Sequence, residues 1–307
     1  MRKYLPLFLK GMAMGAADSV PGVSGGTIAV ITRIYDELIY SIRSIDGRAF
    51  RLLVTAGPGS AWKHINGWFL LVLATGILLS LRLSAGIVLV LLENRFEALM
   101  AFFTGLVVAS SWSLRNECGA WRLPTCMFLV AGMLLTLLIS SLAPYNTEIS
   151  LAYLFICGLV AICAMILPGL SGAFLLLVLG VYDYVLNALI TLNVAVILVF
   201  ASGCICGLLA FARLLSWMLS RYRELSYAFL TGMLLASVYV LWPWQQVDRL
   251  YQDEAGESHV LQSHNVLPMD YQALTGQEPQ LVAVVVSLLA GLVIIPVFDK
   301  LFRQSVD

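Results

Sequence analysis

A sixteen-residue pattern occurs twice in the chain, as PGVSGGTIAVITRIYD at Pro21 to Asp36 and as PGLSGAFLLLVLGVYD at Pro168 to Asp183. Each copy sets a Pro-Gly break and a Ser-Gly pair inside an apolar stretch and ends, at the same spacing, in Tyr-Asp. At membrane depth such a break leaves backbone N–H and C=O groups without helical partners, which a bilayer tolerates only where the break is buried in protein or lines a cavity. Two such breaks in corresponding halves of a chain are the sequence mark of a transporter's substrate site.

The rest of the chain suits that setting. Of 307 residues, 60% are hydrophobic and 12% charged, mean hydropathy is +0.90, and several apolar runs are long enough to cross a bilayer. These values predict a polytopic membrane protein. The formal net charge is +0, so bulk charge points to no nucleic-acid or acidic partner. Cys118, Cys126, Cys157, Cys163, Cys204 and Cys206 form no CxxC pair and lie mostly in apolar segments, as thiols that are neither disulfide-bonded nor metal-bound. His64, His259 and His264 fall in polar connections. Arg2 and Lys3 before YLPLFL mimic a signal peptide, but Lys10 interrupts the apolar region and the motif follows at once, so the segment reads as retained.

The halves resemble each other beyond the motif. ATGILLSL from Ala74 matches ASGCICGL from Ala201, FFTGLVVAS from Phe102 matches FLTGMLLAS from Phe229, and AGMLLTLLI from Ala131 matches AGLVIIPVF from Ala290. The offset changes from 147 to 127 to 159, which puts insertions in the polar stretches Ser44 to Gly67 and Gln245 to Gln280. The expected fold is an all-α polytopic membrane protein with an inverted-topology repeat, residues 1–144 and 145–307. Each half is a re-entrant helical hairpin, about 5–43 and 148–190, plus three transmembrane helices at about 67–92, 96–114 and 123–142, then 193–217, 226–244 and 281–298. A helix from Ser24 to Asp36 would rise only ~18 Å at ~1.5 Å per residue, short of the ~30 Å hydrocarbon core, so the hairpin re-enters. Three crossings after a re-entrant hairpin insert the second half upside down. Lys and Arg placement agrees: with a cytoplasmic N-terminus only Arg95 and Arg249 fall outside, and no Lys or Arg occurs between Leu123 and Ala212.

Glycine at the hairpin tips permits close backbone approach, and Ser24 to Thr27 begin a half-helix whose free N–H groups and partial positive charge suit a phosphate or carboxylate. The Ser24 and Thr27 hydroxyls can add hydrogen bonds; in the second copy Ser171 is kept and Phe174 replaces Thr27. Small residues also serve tight packing, the plainer reading of both tips. Asp18, three residues before Pro21, either caps the half-helix or carries a coupling H⁺ or Na⁺; its counterpart is Met165. Arg82, sixteen residues into its span, either pairs with a phosphate or an acid such as Asp18, or snorkels to the interface. Asp36 and Asp183 recur beside Tyr35 and Tyr182 as interfacial anchors or further coupling-ion candidates, and Arg33 is a cation near the cytoplasmic mouth.

GAADSVPGVSGGT from Gly15, followed by PGLSG from Pro168 and the Thr-Gly spans, resembles the polyprenyl-phosphate transporter family. The resemblance covers almost the whole chain. It implies translocation of undecaprenyl phosphate, the lipid carrier of surface-glycan precursors, from the outer to the inner leaflet of the bacterial cytoplasmic membrane. It also implies headgroup contacts at Ser24, Gly25, Gly26, Thr27, Ser171 and Gly172; the second copy departs from the first after Gly172. The expected partners are that lipid and that membrane, with a homo-oligomer left open. No cofactor is expected beyond a possible H⁺ or Na⁺ gradient, and no P-loop is present. Membrane-embedded undecaprenyl-diphosphate phosphatases are similar in architecture, but their tip continues with an arginine and they carry a glutamate-rich helix. Here the tips continue Gly25-Gly26 and Gly172-Ala173, so an enzyme is not expected. A carrier of a small soluble anion is the other alternative.

Overall fold

The computed structural model describes residues 4–18, 24–142, 149–252 and 258–303. Pro21 and Gly22 of the first motif, and the loop acids Asp253, Glu254 and Glu257, lie outside the described residues. Helix α1 (Tyr4–Asp18) leads to the first tip, and α2 (Gly25–Ile31) and α3 (Tyr35–Arg43) lead away from it. The polar connection folds into α4 (Gly47–Thr55) and α5 (Pro58–His64), followed by α6 (Gly67–Asn94), α7 (Phe96–Leu114) and α8 (Leu123–Ser140). The second half runs through α9 (Leu151–Ile166), α10 (Gly172–Val178), α11 (Tyr182–Ile190), α12 (Val194–Arg221) and α13 (Arg223–Val240). Strands β1 (Gln245–Gln252) and β2 (Ser258–Asn265) then pair antiparallel, and α14 (Pro268–Thr275) and α15 (Leu281–Arg303) follow.

By length and composition, the three described helices α7, α8 and α12 can each cross a bilayer, or up to five spans if each of two bent pairs is one. The chain is thus a multi-pass membrane protein. The β1–β2 pair departs from the all-α fold class, within the polar stretch 245–280 expected as a connection. It lies in the polar connection and satisfies its own backbone, with register Gln246↔His264 and an irregularity between Val247 and Arg249. The Trp244 indole docks it by donating to the Pro279 carbonyl at 2.9 Å.

The arm after each tip differs from a single helix through Tyr-Asp. Helix α2 has seven residues, about 10 Å of rise, because the chain turns at Arg33. Arg33 takes φ 58°, and the Ile34 N–H reaches back to the Ala29 carbonyl at 3.0 Å, closing the helix end in a Schellman-type turn. The second hairpin repeats this at Gly180, φ 68°, with Val181 N–H to the Leu176 carbonyl at 3.0 Å, and α10 and α11 bend by 111°.

Helix pairing repeats as well. Helix α1 packs along α6 as α9 packs along α12, and α7 packs along α15 as α13 packs along α8. Glycines set the crossings, where backbones touch without intervening side chains. An added Cβ at Gly76 would lie 2.5 Å from the Phe8 carbonyl oxygen, and at its counterpart Gly203, 2.1 Å from that of Phe155. Gly105 meets the Leu288 carbonyl as Gly232 meets that of Leu129, and Gly291 meets the Phe102 carbonyl as Gly132 meets that of Phe229. One buried cluster joins both halves, from Met14, Ile28 and Val30 through Phe69, Met100 and Val107 to Ile166, Leu175, Leu230 and Met233. The hairpin tips end inside it.

Candidate functional site at the hairpin tips

The two tips touch. Ser24 has extended backbone and caps α2, its Oγ accepting the Thr27 N–H at 3.3 Å. The same Oγ donates across to the Leu167 carbonyl of the second hairpin at 3.2 Å, and Thr27 Oγ1 accepts the Gly169 N–H at 3.0 Å. The two hydroxyl oxygens lie 3.4 Å apart. Because Ser24 spends its proton on a carbonyl, Thr27 must supply the hydrogen between them. The ordered path is Gly169 N–H to Thr27 O–H to Ser24 O–H to Leu167 C=O, with Ser24 and Thr27 both 2% exposed.

Glycine is required where the tips meet. A Cβ on Gly26 would lie 2.4 Å from the Ile166 carbonyl oxygen, and Gly169 has φ 82°, where an added Cβ would lie 2.9 Å from the Met233 carbonyl oxygen. Asp18 approaches from the end of α1: its Oδ1 accepts the Gly25 N–H at 2.6 Å, and a Cβ on Gly25 would lie 2.7 Å from its Oδ2. Of the two roles open to Asp18, this geometry realises the capping contact. A carboxylate there complements the positive end of the short helix.

The second tip keeps the frame and changes the chemistry. Ser171 caps α10, accepting the Phe174 N–H at 3.3 Å, and stays half-buried. Met165 occupies the place of Asp18, and its Cγ would lie 2.2 Å from a Cβ on Gly172. Gly25 and Gly172 are both buried. Thus Ser24, Gly25, Gly26 and Thr27 form one continuous cluster with the 166–169 backbone, while Ser171 caps the adjoining helix, which begins at Gly172.

Arg82 and Arg33 are not in this cluster. Arg82 is exposed on α6, while Arg33 turns toward the end of α7, its Nη2 donating to Ser113 Oγ at 3.3 Å. Asp36 lies beside it in a second polar cluster. Its Oδ2 accepts from Arg223 Nη1 at 2.9 Å and its Oδ1 from the Tyr227 hydroxyl at 2.9 Å, while Arg223 Nη2 reaches Glu117 Oε2 at 3.2 Å. Arg223 also lies over the Tyr227 ring, 5.0 Å from its centroid. These groups surround a cavity of about 150 Å³ that Tyr35 also lines. Glu117 and Ser113 carried no sequence signal as site residues. Arg223 and Tyr227 did leave a trace, for their repeat counterparts are the apolar Phe96 and Met100. Asp183 is half-buried on α11.

The chain is 39% identical over 297 residues to the polyprenyl-phosphate transporter of Vibrio cholerae serotype O1, covering 97% of this chain and 96% of that protein. It is 30% identical over 254 residues to the polyprenyl-phosphate transporter of Staphylococcus aureus, covering 76% of this chain and 85% of that protein. No solved structure matches it. A family model described as VCA0040-like, undecaprenyl phosphate translocase-like, matches residues 14–259, a range that contains both tips and the Asp36 cluster. The chain belongs to the undecaprenyl phosphate translocase-like family.

Proposed function

We propose that this protein carries polyprenyl phosphate from the outer to the inner leaflet of the bacterial cytoplasmic membrane, returning the lipid carrier for another round of envelope synthesis. The observation that carries the reading is the hydrogen-bonded contact between the two tips in a chain whose relatives are named polyprenyl-phosphate transporters. An ionised phosphate is very costly in hydrocarbon unless its oxygens are paired, whereas a prenyl tail can stay in lipid. The tip groups are donors that already hold a carbonyl and one another. Parted, they offer the Gly169 N–H and the hydroxyls of Ser24, Thr27 and Ser171 to phosphate oxygens. The joined arrangement is then the empty state, and headgroup binding replaces inter-tip bonds with phosphate bonds.

The repeated contacts of the two halves support an inverted repeat, and the Lys and Arg distribution supports a cytoplasmic N-terminus. On this orientation Arg33 and Asp36 lie on the cytoplasmic side of the tips. Asp18 is the candidate at the tip for a coupling H⁺ or Na⁺, because opening the tips frees it from the Gly25 N–H. Asp36 and Asp183 are the candidates at the two hairpin ends.

Transfer of labelled undecaprenyl phosphate between leaflets of proteoliposomes tests this, under an imposed proton or Na⁺ gradient. A variant carrying Ser24→Ala and Ser171→Ala is expected to transfer at least about 10-fold more slowly, since hydrogen bonds to a charged group are worth about 1.5–3 kcal/mol each. Wild-type protein that moves no lipid phosphate under either gradient overturns the reading. Release of inorganic phosphate from undecaprenyl diphosphate would move it to hydrolysis.

A further inference from the structure

The cavity beside Asp36 is built from both halves and lies off the tips. Val30, one turn along α2 from Thr27, forms its wall toward the tip, and Arg33, Tyr35 and Asp36 follow in the same arm. The opposite wall comes from the end of α7, the segment after it and the start of α13. Its volume of about 150 Å³ corresponds to roughly five waters at ~30 Å³ each, enough for the five heavy atoms of a phosphate.

Two features point to a ligand. Tyr35 is 1% exposed and forms part of the cavity wall, and its buried hydroxyl has no hydrogen-bond partner among the described residues. A buried unpaired hydroxyl costs about 1–3 kcal/mol, which a ligand oxygen would recover. The second feature is Arg223, whose guanidinium fork is held at both prongs, by Asp36 at 2.9 Å and Glu117 at 3.2 Å. A fork of that shape takes a phosphate as readily as two carboxylates.

Charge then limits what can happen. Facing Asp36 are Arg33 from the turn, Tyr35 from its own helix, Glu117 from beyond α7, and Arg223 and Tyr227 from α13; the neighbouring Glu37 is taken up by Asn66 at 2.9 Å. Arg33 and Arg223 balance Asp36 and Glu117, so a phosphate added to the intact set leaves excess negative charge in a half-buried space. A phosphate therefore enters by displacing a carboxylate from Arg223. Resting on the lipid-phosphate reading above, we propose that this cavity is a second phosphate site on the cytoplasmic side of the tips. In it Arg223 exchanges Asp36 for a phosphate monoester.

The test uses purified full-length protein in nanodiscs, with inorganic phosphate and undecaprenyl phosphate as probes at pH 8. Binding is read by calorimetry. Asp36→Asn is expected to bind more tightly than wild type because a competitor for Arg223 is gone. Tyr35→Phe, which removes only an unpartnered oxygen, is expected to fold normally and bind about 10-fold more weakly. Arg223→Gln should lose binding at this site. Binding of both probes marks the phosphate moiety as sufficient; binding of the lipid alone marks a site that also needs the tail. If Tyr35→Phe binds like wild type, or Asp36→Asn binds no more tightly than wild type, the second site is rejected. Should that happen while Ser24→Ala with Ser171→Ala abolishes lipid transfer, the transport reading stands without it; a wild type that neither binds nor transfers removes both.

Discussion

The sharpest consequence of the joined tips concerns Gly26. An added Cβ would lie 2.4 Å from the Ile166 carbonyl oxygen and 3.0 Å from that of Met165. Both are backbone atoms, so no side chain can swing aside, and restoring ordinary contact means parting the hairpins by about 1 Å. The bonds at 3.0 and 3.2 Å between the tips would then stretch to roughly 4 Å, beyond hydrogen-bonding range. Overpacking of this kind costs about 1–3 kcal/mol, and two lost hydrogen bonds about 1 kcal/mol each, so Gly26→Ala should disfavour the joined state by about 3–5 kcal/mol. That is a shift of roughly two to three and a half powers of ten in its population relative to parted tips. Amide hydrogen exchange in nanodiscs reads it at Gly169, whose N–H is committed to Thr27, and its protection should fall steeply. Gly47→Ala serves as control, since its added Cβ meets nothing within 4 Å. Gly26→Ala with wild-type protection at Gly169 would refute tip-to-tip contact in the membrane.

Two further predictions probe the frame and the extramembrane cover. Gly105→Ala and Gly232→Ala press on the Leu288 and Leu129 carbonyls at 2.2 and 2.0 Å, so each should destabilise by about 1–3 kcal/mol. Chemical unfolding should give the two within about 1 kcal/mol of each other, and a wider gap would argue against equivalent crossings. Tyr271, 3% exposed on α14, donates to Glu97 at 2.7 Å. Burial first, then that bond and the Glu97 charge, hold its phenol above the ordinary value of about 10. The folded state therefore keeps a proton that the unfolded chain loses, and this stabilisation is full below about pH 10 and declines as pH rises above it. Tyr271→Phe should remove that alkaline loss while costing about 1–3 kcal/mol at pH 7, since Glu97 loses its donor. Thermal midpoints at pH 7 and 10.5 check both signs.

Much of this was legible where a signal is local. Apolar length locates the core of each span, but its ends follow other physics. Helix α13 stops at Val240 where 244 was predicted, because Pro243 cannot continue it. Helix α12 runs to Arg221 where 217 was predicted, its terminal arginine sitting favourably at the negative end. The hairpin of β1 and β2 has few apolar alternations, and its pairing is decided by two strands meeting, which composition does not record. The tips divide in the same way. Ser24 as a cap is visible from the residues after it, whereas the Leu167 carbonyl it reaches is 143 positions away. The Asp36 partners Arg223 and Tyr227 come from outside the hairpin, so only their mismatch with Phe96 and Met100 hinted at them.

The frame repeats while the chemistry on it does not, and that difference bears on how the protein could work. Backbone geometry at Arg33 and Gly180, and glycine contacts at four matched crossings, make the two halves close equivalents. A frame of this kind gains little by having either half in one pose or the other. The polar groups break the tie: Asp18 against Met165, Thr27 against Phe174, and an Asp36 latched to Arg223 and Tyr227 where the other half offers Phe96 and Met100. Two inter-tip hydrogen bonds contribute about 1 kcal/mol each, and half-exposed ion pairs about 0–1 kcal/mol each. The bias toward the observed pose is therefore about 2–4 kcal/mol, below the ~5.5 kcal/mol that carries a two-state equilibrium from 1:99 to 99:1. A phosphate that takes over those same donors removes the bias as it binds. On the proposed function, then, loading the substrate and releasing the pose are one event, and the polar asymmetry between the halves decides on which side of the membrane the empty protein rests.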